Sequence, residues 1–88
     1  MTYPVVRLHE HDGRYSALVP ALPGCATWGD TLPEALKMVE EAILAYFDGL
    51  EALGKPIPPD VETVTFDLRD ATEASVYRVA VLEELAVA

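Results

Sequence analysis

The chain has 88 residues, 51% of them hydrophobic, which points to a single folded domain and excludes an intrinsically disordered segment. Fifteen acidic residues against six basic ones give a net charge of −9, a field that repels a nucleic-acid backbone and attracts a basic protein, besides keeping a small domain soluble. A lone cysteine, Cys25, excludes an internal disulfide, and neither a signal peptide at Met1-Thr2-Tyr3-Pro4 nor an apolar run of transmembrane length is legible, so a cytoplasmic location is expected.

Tyr3 to Glu10 reads as a strand in which Val6 and Leu8 alternate with Arg7 and His9. His11-Asp12-Gly13 is a turn, with Gly13 able to take positive φ. Arg14 to Pro20 is a second strand, with Tyr15, Ala17 and Val19 on one face. The two strands form an antiparallel hairpin, which Pro20 and Pro23 end because neither can donate to a ladder. Residues 20–31 form a structured loop that bends at Gly24 and Gly29. Between those bends, residues 25–28 suffice for a short third strand.

A helix starts at Thr31. Thr31-Leu32-Pro33-Glu34 fits a capping box, and Pro33 falls in the first turn, where a missing N–H costs nothing. Leu32, Leu36, Val39, Ile43, Tyr46, Leu50 and Leu53 follow the helical period, widened by Ala35, Ala42 and Phe47. Gly54 caps the end, and Pro56, Pro58 and Pro59 prevent continuation. Val61 to Leu68 then reads as a strand, Asp70 to Ser75 as a turn, and Val76 to Leu82 as a last strand, apolar on both faces except for Arg78. The expected architecture is α+β, an antiparallel sheet with one long helix on a face, in the order β-β-(β)-α-β-β.

The charge is uneven. Residues 1–29 carry two acids and two bases; residues 30–88 carry thirteen acids and four bases, hence the whole −9. Glu40, Glu41, Asp48 and Glu51 give the helix an acidic outer face, opposed only by Lys37, and are candidates for contact with a basic partner. Trp28, between two bends, either plugs the core, the favoured reading, or anchors a partner. Tyr77, Val79 and Val81 share a face of the last strand. They are candidates for an interface between copies, because an apolar edge invites pairing and so small a domain gains stability by assembling.

Catalytic chemistry finds no anchor. His9 and His11 flank Glu10 and Asp12, where a metal or acid–base pair is conceivable, but strand alternation followed by a turn favours an ordinary polar tip. Cys25 has no basic neighbour in sequence and reads as a packing residue. Asp30 suits the positive end of the helix dipole. No phosphate loop, dinucleotide fingerprint, metal-ligand cluster or nucleophile elbow is present, so no catalytic, cofactor or metal residue is assigned.

The run Gly13-x-Tyr15-x-Ala17-x-Val19-Pro20-x-Leu22-Pro23-Gly24-Cys25-x-Thr27-x-Gly29-Asp30-Thr31-x-x-Glu34-Ala35, with Gly54-Lys55-Pro56-Ile57-Pro58 after it, resembles the HicB-like antitoxin family over residues 3–59. The resemblance implies a partial RNase H-like fold, dimers or tetramers, and a role in masking HicA, a small basic toxin that cleaves messenger RNA. Many relatives carry a C-terminal module that binds DNA. Here the 29 residues after Pro59 hold seven acids against two arginines, so no nucleic-acid binding by the chain alone is expected. A stand-alone oligomeric adaptor or ligand-binding domain is the alternative function. A degenerate RNase H-like enzyme, for which Asp12 and Asp30 are the only candidate carboxylates, comes last.

Overall fold

A computed structural model describes residues 2–61, 63–65 and 71–80. β1 (Thr2–His9) and β2 (Tyr15–Leu18) form the antiparallel hairpin, with His9 opposite Tyr15 and Val6 opposite Leu18. Its turn closes through Gly13 N–H to the Glu10 carbonyl (3.1 Å), with Gly13 at φ 90°, a conformation that glycine adopts without steric cost. Asp12 Oδ1 accepts from the Arg14 N–H at 3.0 Å, a local bond of the kind that favours aspartate in turns.

Two successive turns carry the chain from β2 to β3 (Ala26–Gly29). Leu22 N–H reaches the Val19 carbonyl at 3.0 Å, and Cys25 N–H reaches the Leu22 carbonyl at 2.9 Å. In the second turn Pro23 and Gly24 (φ 82°) fill the middle positions, the pairing a type II turn favours. β3 then pairs antiparallel with β2, placing Gly29 opposite Tyr15 and Trp28 opposite Ser16.

The helix α1 (Leu32–Ala52) packs back across the sheet. Thr31 caps it in extended backbone, its hydroxyl oxygen accepting from Glu34 N–H at 3.3 Å. The box is only half closed: among the described residues no bond returns from Thr31 N–H to the Glu34 carboxylate. At the far end Gly54 N–H bonds the Glu51 carbonyl (3.0 Å) and Lys55 N–H the Leu50 carbonyl (2.9 Å), with Gly54 at φ 68°. This double bond pattern is the Schellman cap.

The sheet has four strands in the order β3-β2-β1-β4, where β4 (Glu73–Ala80) pairs antiparallel with β1. On the helix side, Val39, Ile43 and Phe47 pack with Tyr3, Val5, Ala17, Val19, Leu22 and Val79. Val6, Leu8 and Ala71 form a second buried group on the other face, with Leu18, Val64 and Ala74 beside it. Because β1 is central and covered on both faces, its alternation does not mark a solvated side. Arg7, which alternates with Val6 and Leu8, is only 6% exposed.

Three further expectations are corrected. Leu53 does not continue the buried stripe but is 70% exposed, since the helix ends one residue earlier. Residues 61 and 63–65, the described part of the expected fourth strand, belong to no strand, and the rest of it lies outside the described residues. The last strand begins earlier than expected, at Glu73, while Val81 and Leu82 lie outside the described residues.

Candidate functional site

Helical period alone decides what α1 shows to solvent. Ala35, Val39, Ile43 and Phe47 recur on the inner side and are buried. Glu34, Glu40, Glu41, Asp48 and Glu51 fall on the remaining circumference and are all exposed, as are Lys37 and Asp30. The ion pairs among the described residues are Arg7–Glu73, Arg14–Asp12 and Arg78–Asp60. None of the helix carboxylates is engaged in one. The outer face of α1 is therefore strongly acidic, with Lys37 as its one cation and no carboxylate in an ion pair among the described residues.

The other partner-contact candidate lies elsewhere. Trp28 is not in the core: it is 50% exposed on β3, an edge strand, on the sheet face opposite the helix. The Arg14 guanidinium sits 4.4 Å from its ring centre, a cation–π contact that covers part of the indole. Edge placement explains the error, because a four-residue edge strand has a neighbour on one side only.

The final-strand candidates divide as well. Val79 is buried opposite Tyr3 in the helix-side core, and Tyr77 is half-buried opposite Val5. Val76, on the other face of the same strand, is the exposed residue, and Val81 lies outside the described residues. Exposed Arg78 is tied to Asp60, whose Oδ1 accepts from its Nη1 at 3.3 Å.

Residues of the family-like run make contacts within the fold. Gly29 lies so close to the helix that a Cβ there would stand 2.6 Å from the Ala35 backbone nitrogen. Tyr15 stacks on His9 with ring centres 4.4 Å apart, which gives that histidine a packing role, while His11 is exposed in the turn. Pro20 and Pro23 sit in the two turns; the Tyr46 hydroxyl donates to the Pro23 carbonyl at 2.9 Å and pins the second turn to α1. Cys25 is buried, and burial raises its thiol above the usual value. Among the described residues no three His, Cys, Asp or Glu side chains gather as metal ligands, and no helix is long and apolar enough to cross a membrane.

Sequence reasoning missed two features. Arg7 is a buried cation: its Nη1 donates to Glu73 Oε1 at 3.0 Å and its Nη2 to Ser75 Oγ at 2.6 Å, while its Nε has no hydrogen-bond partner among the described residues. The only available signal was that arginine's flat guanidinium tolerates burial better than lysine. Met38 and Leu44 are exposed on α1 among the carboxylates. Their positions follow from the helical period once the inner side is fixed.

Comparison with known proteins follows the same outline. The family model described as "HicB_like antitoxin of bacterial toxin-antitoxin system" matches residues 3–83. A UPF0150 protein of Thermoplasma acidophilum is 47% identical over 60 residues, covering 68% of this chain and 87% of that protein. One from Synechocystis is 41% identical over 58 residues, covering 66% and 73%. Among solved structures, the N-terminal domain of the Burkholderia pseudomallei antitoxin HicB aligns with a TM-score of 0.64 at 28% identity, over 92% of this chain and 98% of that one. The longer structure of that antitoxin gives 0.70 at 26% identity, over 96% of this chain and 65% of its own length. A HicA3 and HicB3 toxin–antitoxin complex gives 0.60 at 28% identity, over 70% and 72%.

Proposed function

Because the chain belongs to the HicB-like antitoxin family, we propose that it is a protein-binding module whose partner is a small basic toxin resembling HicA. The single observation that carries this reading is the outer face of α1, where Glu40, Glu41, Asp48 and Glu51 stand exposed with no ion pair among the described residues. Asp48 and Glu51, three residues apart, face each other as like charges, and a cationic surface relieves that repulsion on binding. The role is one of masking rather than catalysis. A net charge of −9 favours a basic protein and disfavours nucleic acid as the partner of the chain alone.

The test is inhibition. A HicA-type toxin encoded in the same genome is mixed with the chain and with messenger RNA. Stoichiometric suppression of cleavage and a stable complex are expected. Free cleavage at excess chain, with no complex on a sizing column, contradicts the reading and favours a stand-alone adaptor.

Self-association belongs to the same reading. Among the described residues β4 is an edge strand of eight residues with Val76 exposed, and two-fold pairing along it would cover that edge. A charged residue in place of Val76 is then expected to weaken assembly with little loss of folding, measured by light scattering; a stable monomer of the unmodified chain removes the proposal.

A further inference from the structure

Gly29 and Gly49 pose opposite problems. A side chain at Gly29 would strike the helix backbone, which explains the glycine. Gly49 lies inside α1, where glycine destabilises a helix relative to alanine, and a Cβ there would meet nothing within 4 Å. Among the described residues no contact accounts for it.

Its neighbours around the helix supply a context. Met38, Ala42, Ala45, Gly49 and Ala52 are spaced alternately four and three residues apart, the repeat of a coiled-coil seam. Ala42 is half-buried at the border of the core; the other four are exposed, Met38 by 40%. Along one side of this line, again at seven-residue spacing, stand Glu34, Glu41 and Asp48, all exposed. In a coiled coil those flanking positions choose the partner by charge. The other flank is Val39 and Tyr46, which turn into the fold.

We infer that this line is the docking seam for a cationic amphipathic helix of a partner protein, with apolar residues against Met38, Ala45 and Gly49 and lysines or arginines against Glu34, Glu41 and Asp48. The inference rests on the basic-partner reading and specifies which element of the partner binds and along which line. Small side chains at the seam let two helix axes approach toward the lower end of the usual 8–10 Å range. A second copy of this chain is the wrong occupant. Its seam would bring another row of carboxylates, and the only free flank of the helix is acidic.

The probe is a synthetic 21-residue helix with alanine and leucine on its seam and lysine on both flanks; a control carries glutamate instead. Binding to the full chain is followed by fluorescence anisotropy and by amide shifts. The lysine helix is expected to bind and the glutamate helix not. Shifts are expected to run along residues 38, 42, 45, 49 and 52, and Ala45→Gln with Gly49→Gln is expected to weaken binding at least tenfold. Both positions are exposed, so folding should survive; the shift map on the unmodified chain does not depend on it. Equal binding by both helices, shifts centred on β3, or undiminished binding by the double variant overturns the seam. A HicA-type toxin that binds the unmodified chain and the double variant alike removes the seam but leaves the toxin reading standing; a toxin that binds neither removes that reading, whatever the lysine helix does.

Discussion

The two sides of α1 obey different rules. On the inner side Ala35, Val39, Ile43 and Phe47 are buried, and each residue is fixed by what it touches. On the outer side Glu40, Glu41, Leu44, Asp48 and Gly49 are exposed, and among the described residues a Cβ at Gly49 would meet nothing within 4 Å. The inner side is chosen for stability. The outer side has choices that cost stability, namely the like charges Asp48 and Glu51 three residues apart and a glycine in the last turn of the helix, and such choices are what a binding surface leaves behind.

The contrast can be broken most strongly from the inside. Ile43 is fully buried, and Ile43→Ala is expected to lower unfolding free energy by about 3 kcal/mol through lost transfer energy and a residual cavity. Urea denaturation measures it. A loss well under 1 kcal/mol would mean that the helix is not seated on the sheet as described.

Gly29→Ala comes next. The new methyl would meet Ala35 backbone rather than a flexible side chain, so strand and helix must part, at a cost of roughly 1–3 kcal/mol. Thermal unfolding checks it, and an unchanged midpoint would show that β3 and the start of α1 are not in contact.

Thr31→Ala removes an N-cap acceptor and is expected to cost about 1 kcal/mol. Because the reciprocal Glu34 bond is absent, Glu34→Gln is expected to lose only its interaction with the helix dipole, a few tenths of a kcal/mol. An equal loss from both variants, read from urea midpoints, would restore the full box.

The smallest effect has the opposite sign. Gly49→Ala is expected to stabilise the chain by roughly 0.5–1 kcal/mol, because alanine is the better helix former and its methyl meets open space. Destabilisation on calorimetry would place Gly49 among the residues the fold itself selects.

Legibility followed the same division. The hairpin, the Pro-Gly turns, the Thr31 cap and the inner stripe of α1 were readable because each depends on local geometry or on a period within one element. Trp28 was misplaced and the burial of Arg7 went unread for a common reason: burial in a sheet depends on strand order, which periodicity does not carry. Trp28 fell on an edge and Arg7 in the centre. The acidic face was legible as composition, but its lack of ion pairs and the exposure of Met38 and Leu44 required the fold.

The most direct test of the outer face as the partner-binding surface is a titration of the genome's own HicA-type toxin. It compares the unmodified chain with a variant carrying Glu40→Gln, Glu41→Gln, Asp48→Asn and Glu51→Gln. The expected result is tight binding that weakens as salt rises, and at least roughly tenfold weaker, less salt-dependent binding by the variant at unchanged stability. Equal affinity and equal salt dependence for the two chains would contradict it and move the binding surface off the helix.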